Sequence, residues 1–239
     1  TPSSSWRATS PRPSPLLLDS PDGVEVWAVG DGAPSYSSPF LATLGGVKQI
    51  VQFHQASVAG YALDGSRVLW SSPWSGDQPN VAKPVVLDGS TVMVSSGYGI
   101  GAAALRVATP DDGDSWTVAE AWRSPRLKAK FTNPVLHDGA VYGLDDGVLT
   151  AIDPATGDRH WKRGRYGHGQ TLLVGDLLMV LAENGDAILL DPTPEESREL
   201  TRHRVLDGKA WNPPAIAGGR LFVRSADEAT AYALPTTAS

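Results

Sequence analysis

Cysteine is absent from all 239 residues, which excludes a disulfide framework, a thiolate metal site and a cysteine nucleophile. Long apolar stretches are missing too: none approaches the roughly 20 residues that span a bilayer, because Gly, Asp or Pro interrupts each candidate. The chain begins at Thr1 without the apolar core of a signal peptide, so we interpret it as processed or truncated. We expect a soluble mature chain without a transmembrane segment.

A surplus of basic charge is also lacking. Twenty Lys and Arg stand against 26 Asp and Glu, which gives a formal net charge of −6 and a pI near 5.3. Nucleic-acid binders usually present a basic face that neutralises phosphates, so this composition argues against nucleic acid as the principal partner. We interpret the densest basic group, Arg123, Arg126, Lys128 and Lys130, as a solvated loop.

Glycine and proline, by contrast, are abundant, with 25 and 19 copies. They suit a chain that turns back every few residues between short antiparallel strands. Apolar strand pairs recur at intervals of about 40 to 50 residues, and a tight turn joins each pair. The turns are Gly45-Gly46, Asp88-Gly89, Asp138-Gly139, Gly175-Asp176 and Gly218-Gly219.

The clearest copy spans residues 134–162 and divides into four strands at turns rich in Asp and Gly. These strands are Pro134–His137, Val141–Leu144, Val148–Ile152 and Arg159–Lys162. Such turns supply left-handed backbone at little cost and therefore favour hairpins. The sequence predicts an all-β protein of four-stranded antiparallel sheets.

One tryptophan closes each of four strand sets: Trp27, Trp70, Trp122 and Trp161. A large ring that recurs once per repeat is best explained by packing between neighbouring sheets, where its apolar area is buried and its N–H reaches a backbone acceptor. We interpret these four residues as structural.

Three segments carry a resemblance to a known family. LTAIDPATGDRHWK at residues 149–162 resembles the repeat of the pyrroloquinoline-quinone-like (PQQ-like) β-propeller family, in which a strand and an Asp-x-x-Thr-Gly turn lead into a strand ending in Trp. YALDGSRVLW is a shorter version, and LLLDSPDGVEVW is a third. The resemblance implies a β-propeller of four-stranded blades over nearly the whole chain.

We expect about five blades, part of the eight-bladed ring usual in this family. The expected bounds are a flexible segment at 1–14, repeat units at 15–33, 36–75, 80–123, 130–163, 168–205 and 211–235, and a tail at 236–239. The last unit has only three strands. Either Val24–Val29 supplies its fourth strand and closes a five-bladed ring, or residues 15–33 are the outer hairpin of a preceding blade in an open arc, the interpretation we favour.

A ligand or partner site is expected where the chain enters the innermost strand of each blade, at one mouth of the axial channel. Residues at these places are Tyr36, Asn80, Lys83, Asn133, His168, Gln170, Trp211 and Asn212. Aromatics, amides, a lysine and a histidine together suit a polar planar ligand or a peptide loop. Alternatively, these groups hydrogen-bond to one another and to water in the channel.

No residue is assigned a catalytic or metal-binding role, because nucleophile elbows, phosphate loops and zinc-protease pairs do not occur. We expect a monomeric, non-catalytic scaffold for a protein partner or a small polar ligand. The resemblance implies a periplasmic or secreted bacterial protein. It also leaves open a fragment of a quinoprotein dehydrogenase with PQQ and calcium, in which Trp211 stacks on the quinone and Lys83 contacts its oxygen; carbohydrate binding is the third hypothesis.

Overall fold

The computed structural model describes residues 5–8, 16–19, 22–109 and 115–235. Every regular element in these ranges is a β-strand, and the strands form six antiparallel sheets, here named A to F in chain order. No helix long and apolar enough to cross a membrane occurs in these ranges. The prediction of an all-β fold is confirmed. The chain divides into two compact units, residues 1–125 and 126–239.

The first unit contains sheets A, B and C. Sheet A consists of β1 (Ser5–Ala8), β2 (Leu16–Asp19) and β3 (Glu25–Val29). Sheet B consists of β4 (Phe40–Leu44), β5 (Val47–Phe53), β6 (Ser57–Tyr61) and β7 (Val68–Pro73). Sheet C consists of β8 (Val85–Val86), β9 (Thr91–Ser96), β10 (Gly101–Ala108) and β11 (Thr117–Ser124).

The second unit contains sheets D, E and F. Sheet D consists of β12 (Val135–His137), β13 (Ala140–Asp145), β14 (Val148–Ile152) and β15 (Arg159–Arg165). Sheet E consists of β16 (Gln170–Val174), β17 (Leu177–Leu181), β18 (Asp186–Pro192) and β19 (Ser197–Arg204). Sheet F consists of β20 (Ala215–Ala217), β21 (Arg220–Arg224) and β22 (Ala229–Ala233).

Sheet D shows why the turn residues specify these hairpins. His137 pairs with Ala140 across the two-residue turn, and Asp138 and Gly139 have φ values of 41° and 75°. Two successive positive φ angles match the right-handed twist of the flanking strands, and Asp and Gly adopt them at low cost. The turn therefore fixes the register of β12 on β13.

The strands within each sheet follow chain order, so every sheet is a meander. β3 pairs with β2 in sheet A, whereas sheet F contains only β20, β21 and β22. The hypothesis that Val24–Val29 completes the last blade is therefore wrong, and the arrangement is consistent with an incomplete propeller. The sequence predicted a flexible segment at residues 1–14, but β1 lies inside it. The other residues of that segment, 1–4 and 9–14, are outside the described residues, as is the tail at 236–239.

Apolar clusters join neighbouring sheets face to face. Val51 of sheet B packs with Val92 of sheet C, while the adjacent Ile50 faces the opposite way and packs with Val29 of sheet A. In the second unit, Tyr142 of sheet D packs with Leu178 of sheet E, and Met179 packs with Leu221 of sheet F. Successive side chains on a strand point to opposite faces, so one strand serves two interfaces.

The four repeat tryptophans lie on the last strand of sheets A to D. Trp27 lies against Gly65 of sheet B, Trp70 is buried in the cluster shared by sheets B and C, and Trp122 is half-buried opposite Ala104. Trp161 is buried between sheets D and E, where its Nε1 donates to the carbonyl oxygen of Thr193 at 2.9 Å.

We predict that Gly60→Ala destabilises the protein by about 2 kcal/mol, since overpacking a filled site typically costs this much. Gly60 pairs with Trp70 across β6 and β7, and a Cβ there would overlap Trp70 Nε1 and Gln49 Oε1, which are already hydrogen-bonded to each other at 2.5 Å. Urea unfolding followed by circular dichroism measures the change.

Gly89→Ala is the matched control. A Cβ at Gly89 meets nothing within 4 Å and the residue has no positive φ, so its effect is expected to stay within about 0.5 kcal/mol. Equal stability of the two variants would contradict this view of Trp70 packing.

Candidate functional site

In the second unit, the segments that precede the first strands of sheets D, E and F converge. We call these the leading segments: residues 126–134, 166–169 and 205–214. Gln170, at the start of β16, is 2% exposed, and its Nε2 donates to the carbonyl oxygens of Phe131 at 2.7 Å and Trp211 at 2.8 Å. One buried amide, placed directly after the leading segment of sheet E, therefore ties the leading segments of sheets D and F together.

Glu183, in the turn after β17, is the second tie. Its Oε2 accepts the backbone N–H of His168 at 3.0 Å, and its Oε1 accepts Nε1 of Trp211 at 2.9 Å. Its backbone bonds to the same segments: its N–H donates to Tyr166 and its carbonyl oxygen accepts from Ala210. The hydrogen bond from His168, followed by that from Trp211, holds the pKa of Glu183 below its ordinary value.

The aromatic rings of the three leading segments meet beside these ties. The Phe131 ring lies 5.6 Å from the His168 ring and 5.2 Å from the Trp211 ring, measured between centroids. Lys130 Nζ lies 5.4 Å from the Phe131 centroid and Lys209 Nζ lies 5.0 Å from the Trp211 centroid. We call Phe131, His168 and Trp211 the aromatic cluster. Trp211 remains 42% exposed.

Asn133 and Asn212 flank this cluster in the chain, and both are half-buried. The carbonyl oxygen of Asn133 accepts the hydroxyl of Thr171 at 2.6 Å. The second unit therefore brings His168, Gln170 and Trp211 of the predicted set into one contact network, with Asn133 bonded to the neighbouring strand.

In the first unit, Asn80 is a structural residue rather than a surface contact. It is 1% exposed; its Nδ2 donates to the carbonyl oxygens of His54 at 2.8 Å and Gln55 at 3.0 Å, and its Oδ1 accepts from Ser96 Oγ at 2.5 Å. A ligand could reach this amide only by displacing protein groups.

The other two predicted residues of the first unit are exposed. Tyr36 is 78% exposed, and its backbone N–H donates to the carbonyl oxygen of Asn80 at 3.0 Å. Lys83 is exposed and its Nζ lies 5.7 Å from the centroid of the Phe40 ring.

Sequence reasoning missed the role of Asp145, which it assigned to turn chemistry. Asp145 is fully buried: Oδ1 contacts Lys128 Nζ at 2.5 Å, and Oδ2 contacts Lys162 Nζ and, at 3.3 Å, Arg159. Lys128, interpreted from sequence as part of a solvated loop, is thus anchored to a buried carboxylate. The available signal was a lysine, Lys128, in the segment before β12 together with an aspartate at the end of β13. The Asp-Asp-Gly turn gave a sufficient local explanation for Asp145, so the signal was not used.

Glu183 was missed for the same reason. It stands in a Glu-Asn-Gly turn, where a carboxylate is unremarkable, and its partners lie 15 and 28 residues away in the chain. Only the folded arrangement of the leading segments shows that it orients Trp211.

The quinone and carbohydrate hypotheses need an aromatic ring with an open face. Lys209 lies over the Trp211 ring and Phe131 packs against it at an interplanar angle of 47°, so Trp211 does not offer the open stacking platform that a planar quinone requires. Within the described ranges, no group of three or more His, Asp or Glu side chains is arranged to hold a metal ion. These contacts count against Trp211 as a platform for the quinone, whose binding with calcium stays a prediction from the resemblance.

Comparisons with known proteins agree on the fold. The sequence model of the family described as outer membrane protein assembly factor BamB matches residues 14–163 and 145–237. The crystal structure of BamB from Moraxella catarrhalis superposes with a TM-score of 0.54 at 16% identity, covering 96% of this chain and 81% of that one. No curated protein matches.

A second similar structure is the computationally designed Ika8 protein, with a TM-score of 0.52 at 10% identity. It covers 92% of this chain and 80% of that chain. At these identities the structural likeness establishes the fold and nothing further.

We predict that Asp145→Asn destabilises the protein by about 2 kcal/mol at pH 7, because Lys128, Arg159 and Lys162 lose the carboxylate that balances their charge. These three cations are partly exposed, so the cost is lower than for a fully buried ion pair. Burial alone would raise the pKa of Asp145, but hydrogen bonds from Lys128 and Lys162 outweigh it and hold the pKa below 3.8. The stabilisation is therefore present above about pH 3.8 and is lost as the pH falls through the folded-state pKa.

Urea unfolding between pH 3 and 7 measures this difference, which should narrow below pH 4. Asp146→Asn is the control, since Asp146 is 47% exposed and lies 3.5 Å from Lys128. A stability of Asp145→Asn equal to the wild type at pH 7 would contradict the assignment.

Proposed function

Because this chain belongs to the BamB family of PQQ-like β-propeller proteins, we propose that it is a non-catalytic, extracytoplasmic scaffold that binds a protein partner through the aromatic cluster. The family is named for an assembly factor of outer membrane proteins. An assembly factor of this kind has to recognise other proteins. The proposal extends that class of task, rather than a particular partner, to this chain.

Trp211 is the observation that carries the proposal. The residue is 42% exposed, yet its N–H is bonded to Glu183 and its ring lies 5.2 Å from the Phe131 ring, measured between centroids. A large exposed apolar group that is already held in place loses little freedom on binding, and Trp is enriched among residues that dominate binding energy at interfaces. An aromatic side chain in this state suits a protein interface.

The polar residues around Trp211 also support the proposal of a scaffold, because their hydrogen bonds hold the surface in place. Gln170 uses its amide nitrogen to join two leading segments, and Glu183 uses both carboxylate oxygens to fix His168 and Trp211. These side chains are engaged in shaping the surface. A catalytic acid or base, by contrast, needs reach to a substrate proton.

The test is partner capture by the purified chain with mild cross-linking in an envelope extract of its source organism. Replacing Trp211 with Ala should lower recovery of at least one specific partner by about tenfold or more, as expected for loss of an interface anchor. Quantitative mass spectrometry of the captured proteins provides the readout, with thermal unfolding to confirm that each variant is folded.

Leu200→Ala is the matched control, because Leu200 is 44% exposed on β19 and lies outside the leading segments. It should leave recovery unchanged. An identical set and amount of captured protein from the wild type and Trp211→Ala would overturn the proposal.

A further inference from the structure

A cleft of about 450 Å³ opens beside the aromatic cluster. It is formed where residues 165–167, the turn after β17 and residues 208–209 come together, and its charged lining residues are Arg165, Glu183, Arg202 and Lys209. Two of these residues, Glu183 and Lys209, also contact the Trp211 side chain. The cleft and the exposed tryptophan are therefore parts of one continuous surface.

Two of the three cations in the cleft are not held in an ion pair by the residues that the structure describes. Arg202 is occupied by Glu199, through Nε at 2.9 Å and a second guanidinium nitrogen at 2.8 Å. Arg165 and Lys209 form no ion pair with any residue that the structure describes. The carboxylate of Glu183 is bonded to the N–H groups of His168 and Trp211 and also attracts Lys209, so it lowers the positive charge of the cleft without cancelling it.

The excess of positive charge in the cleft is opposite in sign to the net charge of the whole chain, which is −6. A protein of that net charge repels anions at long range, but screening confines the repulsion to about 10 Å at ordinary ionic strength. Inside the cleft, the nearest charges decide which group binds. Arginine presents a planar fork that matches a carboxylate, and lysine supplies a point charge.

We infer that the cleft binds acidic side chains of the protein partner, with Arg165 and Lys209 pairing with their carboxylates while Trp211 contacts an adjacent apolar residue. The inference rests on the proposed function and specifies its partner chemistry: an acidic segment that carries a neighbouring large apolar side chain. Trp211 would supply apolar contact, and the two cations would supply discrimination between acidic and neutral segments.

The probe is a fluorescein-labelled peptide of alternating Glu and Leu, compared with the same peptide carrying Gln in place of Glu. Fluorescence anisotropy with the full chain should show that the Glu peptide binds at least about tenfold more tightly, since charge-assisted hydrogen bonds are roughly twice as strong as neutral ones. The double variant Arg165→Gln, Lys209→Gln should remove that preference.

The double variant Arg198→Gln, Arg220→Gln is the matched control, because it removes the same net charge from exposed residues that do not line the cleft. It should keep the preference within about twofold. Equal binding of the Glu and Gln peptides to the wild type would overturn the inference, as would a preference retained in the cleft variant. Displacement of the Glu peptide by inorganic phosphate at matched ionic strength would also overturn it, by showing a general anion site.

Failure of this inference is distinguishable from failure of the proposed function. A partner whose capture depends on Trp211 but survives the cleft variant leaves the scaffold in place and rejects the acidic segment. Selective binding of the Glu peptide without any Trp211-dependent partner supports the cleft and rejects the scaffold.

Discussion

Within each compact unit, neighbouring sheets bury their apolar faces against one another, and the rest of the structure depends on that constraint. The effect is visible in single strands: every residue of β9 and β13 is buried, whereas all but the first residue of β19 are exposed. β9 and β13 are covered on both faces and carry apolar side chains on each, whereas β19, the last strand of its sheet, is mostly polar. A repeat with this gradient is stable only when adjacent repeats stack.

The stacking requirement also explains the buried polar groups. Segments that pass from one sheet to the next carry backbone groups that no strand ladder satisfies, so side chains must satisfy them. Asn80 performs this task in the first unit and Gln170 in the second, each by donating to two carbonyl oxygens. The residues expected to meet a ligand thus divide into internal ties and exposed contacts such as Tyr36 and Trp211.

This division marks the limit of what the sequence could predict. Turn chemistry and hydrophobic pattern are local, so the hairpin at Asp138-Gly139 and the repeat of strands were readable, and the resemblance supplied the propeller. Burial of a polar residue depends on which distant segment covers it. Nothing near Asp145 in the chain separates it from the exposed Asp146, because Lys128 and Lys162, which make the difference, come from other parts of the repeat.

Recognition by a partner also depends on contacts between residues that are distant in the chain. Net charge is a property of composition, whereas the charge that a partner meets depends on which side chains are already paired. Arg202 and Lys209 line the same cleft, but Glu199 forms an ion pair with the first, whereas the second lies over an aromatic ring and feels Glu183 without an ion pair. An acidic protein can therefore present a cationic binding surface wherever its fold leaves cations unpaired beside a fixed aromatic side chain. Glu183 bonds to the leading segments of sheets E and F, so it helps to fix both the position of Trp211 and the wall of the cleft. A substitution in the turn that carries Glu183 would therefore change both the apolar contact made by Trp211 and the charge selection made by the cleft.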